Sequence, residues 1–163
     1  MSTARELRRA FDAGFAAAIG SDEVAREDLL AISVGGHPHA IRLGEITGLV
    51  VDRPIVQMPS RIPALLGLAS SRGAIVPVFD LAALLGLPRA TSPRWIAIAA
   101  RARVGFAFDA FAGHRRATVA DIATSTTGPD ESEVLRDGDR QRPIIHLASV
   151  IEQIEREAER GER

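Results

Sequence analysis

The chain contains no cysteine and no lysine, and only 4% of its 163 residues are aromatic. Without cysteine there is no disulfide framework, no iron–sulfur cluster and no thiolate nucleophile. Without lysine, all 20 basic side chains are arginines; the abundance of alanine beside them points to a GC-rich coding sequence rather than to selection for bidentate contacts. These cations face 21 acidic groups for a net charge of −1, which leaves no electrostatic footprint for nucleic acid. No apolar run approaches the roughly 20 residues of a membrane span, so direct membrane insertion is not expected. The N-terminal stretch mixes charges of both signs and lacks a secretory pattern, and a cytoplasmic protein is expected. No Gly-Lys-Ser/Thr loop occurs, and Ser70 and Ser71 are not set in a Gly-x-Ser-x-Gly elbow, so neither nucleotide hydrolysis nor a serine nucleophile is indicated. No cofactor and no catalytic residue are expected.

What is present is the composition of a globular module, 46% hydrophobic and 25% charged, long enough to bury a substantial core. Leu7, Phe11, Phe15, Ala18 and Ile19 recur at spacings of three and four between charged residues, which predicts an amphipathic helix over residues 3–19. Gly20 ends it, and Ser21 or Asp22 is placed to cap a further short turn reaching Arg26. From Leu29 the pattern changes. Strands are expected at Leu29–Val34 and His39–Leu43, joined by a Gly35-Gly36 turn, then at Ile46–Val51, Ala74–Phe79, Trp95–Ala99, Val104–Phe108 and Pro143–Leu147. Many short strands at this spacing imply an all-β barrel or sandwich. The run from Thr124 to Glu131 reads as an exposed loop, and Leu147–Arg160 as a C-terminal helix. The expected organisation is a helical extension over 1–27, a β domain over 28–157 and a charged tail over 158–163.

The most informative stretch runs from Leu65 to Pro88, where the Arg72-Gly73 pair forms a tight turn feeding the apolar run Ala74-Ile75-Val76-Pro77-Val78-Phe79. Gly73 is expected to supply the backbone freedom of this turn. Four further pieces stand in order around it: His39–Leu43 followed by Ile46-Thr47-Gly48-Leu49, Met58-Pro59, Gly105–Asp109, and Arg142–Leu147. Together they resemble the CheW family of chemotaxis coupling proteins from about Leu29 to Ile154. The resemblance implies a mainly-β fold of two interleaved five-stranded SH3-like barrels. It further implies a non-enzymatic adaptor that binds the regulatory domain of a CheA-type histidine kinase and the cytoplasmic tip of a methyl-accepting chemoreceptor. Arg72 matches the family's receptor-contacting arginine, with Gly73, Ser71 and Ile46 on the same surface. Two positions depart from the pattern: Gly48 stands where an acidic residue is usual, and Ser70 and Ser71 replace an asparagine and a leucine.

Other readings of single residues are simpler. Asp80 and Asp109 each follow an apolar strand and are placed to cap turns. Trp95 reads as core. His37 and His39 could be drawn as two metal ligands, but Pro38 interrupts their geometry and no carboxylate or cysteine stands at ligand spacing. Within the same fold, an auxiliary scaffold that binds the kinase or another coupling protein, but not standard receptors, is the alternative that Gly48 and Ser71 allow.

Overall fold

The computed structural model describes residues 24–89, 92–126 and 131–162, so the helix expected over residues 3–19 lies outside the described residues. Among the described residues, eleven strands form two sheets. β1 (Arg26–Val34) and β2 (His37–Arg42) pair antiparallel across Gly35-Gly36, whose φ angles of 58° and 80° suit the turn that matches strand twist. The chain then leaves for β3 (Ile46–Val51), β4 (Leu65–Ser71), β5 (Ala74–Asp80), the short helix α1 (Leu81–Leu84), β6 (Trp95–Ala99) and β7 (Gly105–Phe108). These five strands form one sheet in the order β3-β6-β7-β5-β4. The chain returns as β8 (Ala110–Thr118), β9 (Ile122–Ser125), β10 (Ser132–Asp137), β11 (Arg140–Ile145) and helix α2 (Leu147–Gly161). With β1 and β2 these build a six-stranded sheet, β8-β1-β2-β11-β10-β9. One sheet is therefore inserted, as a continuous stretch of chain, between the two halves of the other.

The mainly-β architecture with a C-terminal helix is the one expected. Two local expectations are corrected, and one strand adds to those expected. The turn through Arg26 is the start of β1, because pairing with β8 carries the ladder to Arg26 opposite Thr118. The stretch from Ala110 to Thr118 is an edge strand. Thr124 and Ser125 belong to β9, which pairs with β10, so the polar segment is shorter than the sequence implied.

Strands β1, β5, β6 and β7 are largely buried on both faces, which is why they read as apolar runs rather than alternating ones. Along β6, Ile96 and Ile98 point into a cluster with Val76, Val78 and Ala107, inside the five-stranded sheet, while Ala97 and Ala99 face the opposite way. In β2 and β11, Ala40 and Ile144 join Leu29, Ala117 and Leu135 inside the six-stranded sheet. The alternate residues of both sheets meet in a shared core: Leu30, Ile32, Val34, Ile41 and Ile145 from one side, and Phe79, Phe106 and Phe108 from the other. Helix α2 closes this core with Leu147, Val150 and Ile154. No helix among the described residues is long and apolar enough to cross a membrane.

Candidate functional site

Three turns converge at one end of the five-stranded sheet, and the pairing pattern dictates it. β5 and β7 run parallel, so both begin at this end. β6 is antiparallel to β7, which brings the 100–104 turn alongside. β3 is antiparallel to β6, with Ile46 opposite Ala99, so β3 also starts here. Between these segments lies an open groove of about 360 Å³. Its floor is apolar, with Val76 and Ile98 both buried, and its rim carries Thr47, Gly48, Arg72, Arg101 and Arg103.

Arg72 is at the tip of the β4–β5 hairpin, exposed, with its Nη2 donating to the carbonyl oxygen of Thr47 at 3.1 Å. Its own φ is 49° and that of Gly73 is 77°. The expectation that Gly73 alone supplies the turn's freedom is thus corrected: the two residues form a type I′ turn, which needs positive φ at both central positions, and Arg72 adopts it. A left-handed residue with a Cβ costs about 1–2 kcal/mol, and such strain concentrates at functional positions. Gly48 lies across the groove; a Cβ there would come 3.7 Å from Arg72 Nη2, ordinary contact, so a side chain at this position would reach the guanidinium.

The other sequence candidates divide. Ser71 lines the groove wall but is only 8% exposed. Gly73 is exposed beside Arg72. Ile46 is half-buried against the shared core and does not line the groove; the register shift between Ile46 and Gly48 presents the exposed Thr47 there in its place. Arg101 and Arg103 were missed by sequence reasoning. The signal was present, an Arg-Ala-Arg turn between two apolar strands, but its proximity to Arg72 depends on the parallel β5–β7 pairing.

A larger depression of about 590 Å³ lies between α1, the β3–β4 connection and the end of α2. Two of its three arginines are held by the fold: Arg61 donates to the Gly161 carbonyl at 2.7 Å, and Arg89 to the Pro63 carbonyl. Asp80 and Asp109 hold turns as expected, accepting from Ala82 N at 3.1 Å and Gly36 N at 2.8 Å. Trp95 is half-buried with its ring 5.4 Å from that of Phe111. His39 Nδ1 lies 3.1 Å from the His37 carbonyl oxygen, and burial holds its pKa below the usual histidine range. No group of three His, Asp or Glu side chains suited to a metal occurs among the described residues.

Two β sheets sharing one core, with an open, arginine-rimmed groove at the end of one of them, are suited to a module that works through its surfaces. The family is explicit in the sequence: a model of the CheW-like domain matches residues 28–155, and the chain belongs to that family of non-enzymatic adaptors. None of the curated proteins matches the chain. Among solved structures, the scaffolding protein TtCheW from Thermoanaerobacter tengcongensis superposes with a TM-score of 0.66 at 18% identity, over 74% of this chain and 89% of that one. At that identity the likeness concerns the fold.

Proposed function

We propose that this chain is a cytoplasmic coupling adaptor that joins a CheA-type kinase, through its regulatory domain, to the cytoplasmic tip of a chemoreceptor in an array at the inner membrane. The observation that supports it most is the display of Arg72: a strained hairpin tip holds a guanidinium at the meeting point of three turns, tethered only to a carbonyl. A coupling protein also needs a second surface. Val56, Met58 and Ile75, 69%, 44% and 71% exposed around the β4–β5 ribbon, supply apolar area of the kind that marks protein contacts.

Calorimetric titration with a kinase regulatory domain and a receptor cytoplasmic fragment from the same organism tests the reading. Micromolar binding to both is expected, with Arg72→Glu abolishing the receptor interaction while the thermal transition stays unchanged. Arg72→Gly satisfies the turn without any side chain and is expected to lose the receptor as well. Unfolding of both variants would make Arg72 a structural residue and remove it from the receptor surface. Binding to the kinase alone would identify an auxiliary scaffold, the reading that the absence of a carboxylate at Gly48 favours.

A further inference from the structure

We infer that the groove at the convergence of the three turns recognises an acidic segment of its partner, a polarity set by this chain's own residues. The inference rests on the reading of this groove as a partner-binding site. Three guanidiniums rim it, Arg72, Arg101 and Arg103, all exposed, and its lining contains no carboxylate and no histidine. Arg72 is held by a backbone carbonyl, and neither Arg101 nor Arg103 makes an ion pair among the described residues. Arg42, Arg94, Arg115, Arg116 and Arg142 each lie within ion-pair distance of a carboxylate, whereas at this groove three arginines that have none among the described residues cluster on a single rim. Glu45 flanks Arg101 in the neighbouring depression, but its carboxylate lies toward the start of α2, 3.5 Å from Leu147 N.

At position 48, from which a side chain would meet Arg72 across the groove, the chain has glycine. A carboxylate there would pair with Arg72 and give the rim mixed charge; its absence leaves three like charges over an apolar floor. Like charges clustered at an exposed rim repel one another and gain most from a partner that brings carboxylates. Arginine forks pair with carboxylates bidentately and stay charged at every physiological pH. The occupant that fits is therefore a partner helix or loop with small apolar side chains for Val76 and Ile98 and glutamates or aspartates on its flanks.

The test uses the full chain and three probes. Two are synthetic helical peptides with the same apolar stripe, one flanked by glutamates and the other by lysines; the third is the receptor cytoplasmic fragment. The wild-type chain is expected to bind the glutamate peptide, not the lysine peptide, with affinity that falls as NaCl rises from about 50 mM to about 500 mM. Arg101→Glu/Arg103→Glu is expected to weaken glutamate-peptide binding about tenfold or more and to admit the lysine peptide. Gly48→Glu, which supplies the missing carboxylate to Arg72, is expected to weaken glutamate-peptide binding in the same direction; Arg101→Gln/Arg103→Gln is the neutral control for folding. Equal binding of the two peptides, or indifference to all these substitutions, would overturn the inference. If the receptor fragment binds through Arg72 but without salt dependence and unaffected by changes at Arg101 and Arg103, the coupling role stands and the acidic polarity fails. If the glutamate peptide binds as described and the receptor fragment does not, the polarity stands and the receptor assignment fails.

Discussion

Arg142 is buried to 4% exposure in the six-stranded sheet, where its Nε donates to Asp137 Oδ2 at 2.8 Å and its Nη1 to the Ile32 carbonyl at 3.2 Å. Asp137 also accepts from Arg115 Nε at 2.9 Å, so one carboxylate answers two guanidiniums. Those hydrogen bonds, Arg115 first and Arg142 second, hold the Asp137 carboxyl below its ordinary value of 3.8. A depressed acid contributes stability that is fully present above its unfolded pKa and is lost as pH falls through the folded one, here from the ordinary carboxylate range downward. Asp137→Asn leaves the buried Arg142 without its counter-charge, and a loss of about 3 kcal/mol is expected by denaturant titration at neutral pH. The difference between variant and wild type should shrink as the medium is acidified below the carboxylate range. A variant as stable as the wild type would show that solvent, not Asp137, satisfies Arg142. None of this pairing was legible in the chain, because nothing in the sequence of Arg142, at the head of an apolar run, marks it as buried or brings it to Asp137 and Arg115.

The element whose geometry depends most on a single residue is β4. Gly67 has φ 149°, and a Cβ there would sit 2.1 Å from the Val56 carbonyl oxygen. That contact is the crossing of the β3–β4 connection over β4, fixed by Val56 N to Leu68 O and Leu68 N to Val56 O, both 2.8 Å. Gly67→Ala is expected to cost about 2–3 kcal/mol in thermal or chemical unfolding, since backbone must move to admit one methyl group. Gly44→Ala, with nothing within 4 Å of the added atom, should stay within about 0.5 kcal/mol of wild type. An equal effect at both positions would show that the crossing is looser than its hydrogen bonds imply. Elements with two buried faces, such as β1, β5, β6 and β7, were legible as apolar runs. β8 was not: its inward positions are Phe111, Gly113, Arg115 and Ala117, of which only Ala117 is buried, and an edge strand with arginines looks like a connection. For the site, the Arg72-Gly73 turn could be read from two adjacent residues, whereas Arg101 and Arg103 enter through sheet order, which periodicity does not encode.

Because the shared core takes side chains from both sheets and from α2, the described domain should unfold as one unit. Ile154, 8% exposed on α2, lies against that core. Ile154→Ala is expected to cost about 3 kcal/mol. The loss should register equally in the fluorescence of Trp95, which reports on the five-stranded sheet, and in far-ultraviolet circular dichroism, which reports on both. Separated transitions would mean that the two sheets are independent. The insertion of one sheet within the other also has a consequence during synthesis. β2 is completed by β11, with Ala40 beside Ile144, and β1 by β8, so the β1–β2 hairpin leaves the ribosome with both edges open. About a hundred residues must follow before β2 meets its neighbour, which at 5–20 residues per second is roughly 5 to 20 s. During that interval the inserted sheet has all five of its strands in hand, while the β1–β2 ribbon offers unpaired backbone and apolar side chains on both faces. A message truncated before β11 would therefore yield an aggregation-prone nascent chain, not a smaller adaptor, and quality control of this protein has its natural target at β1 and β2.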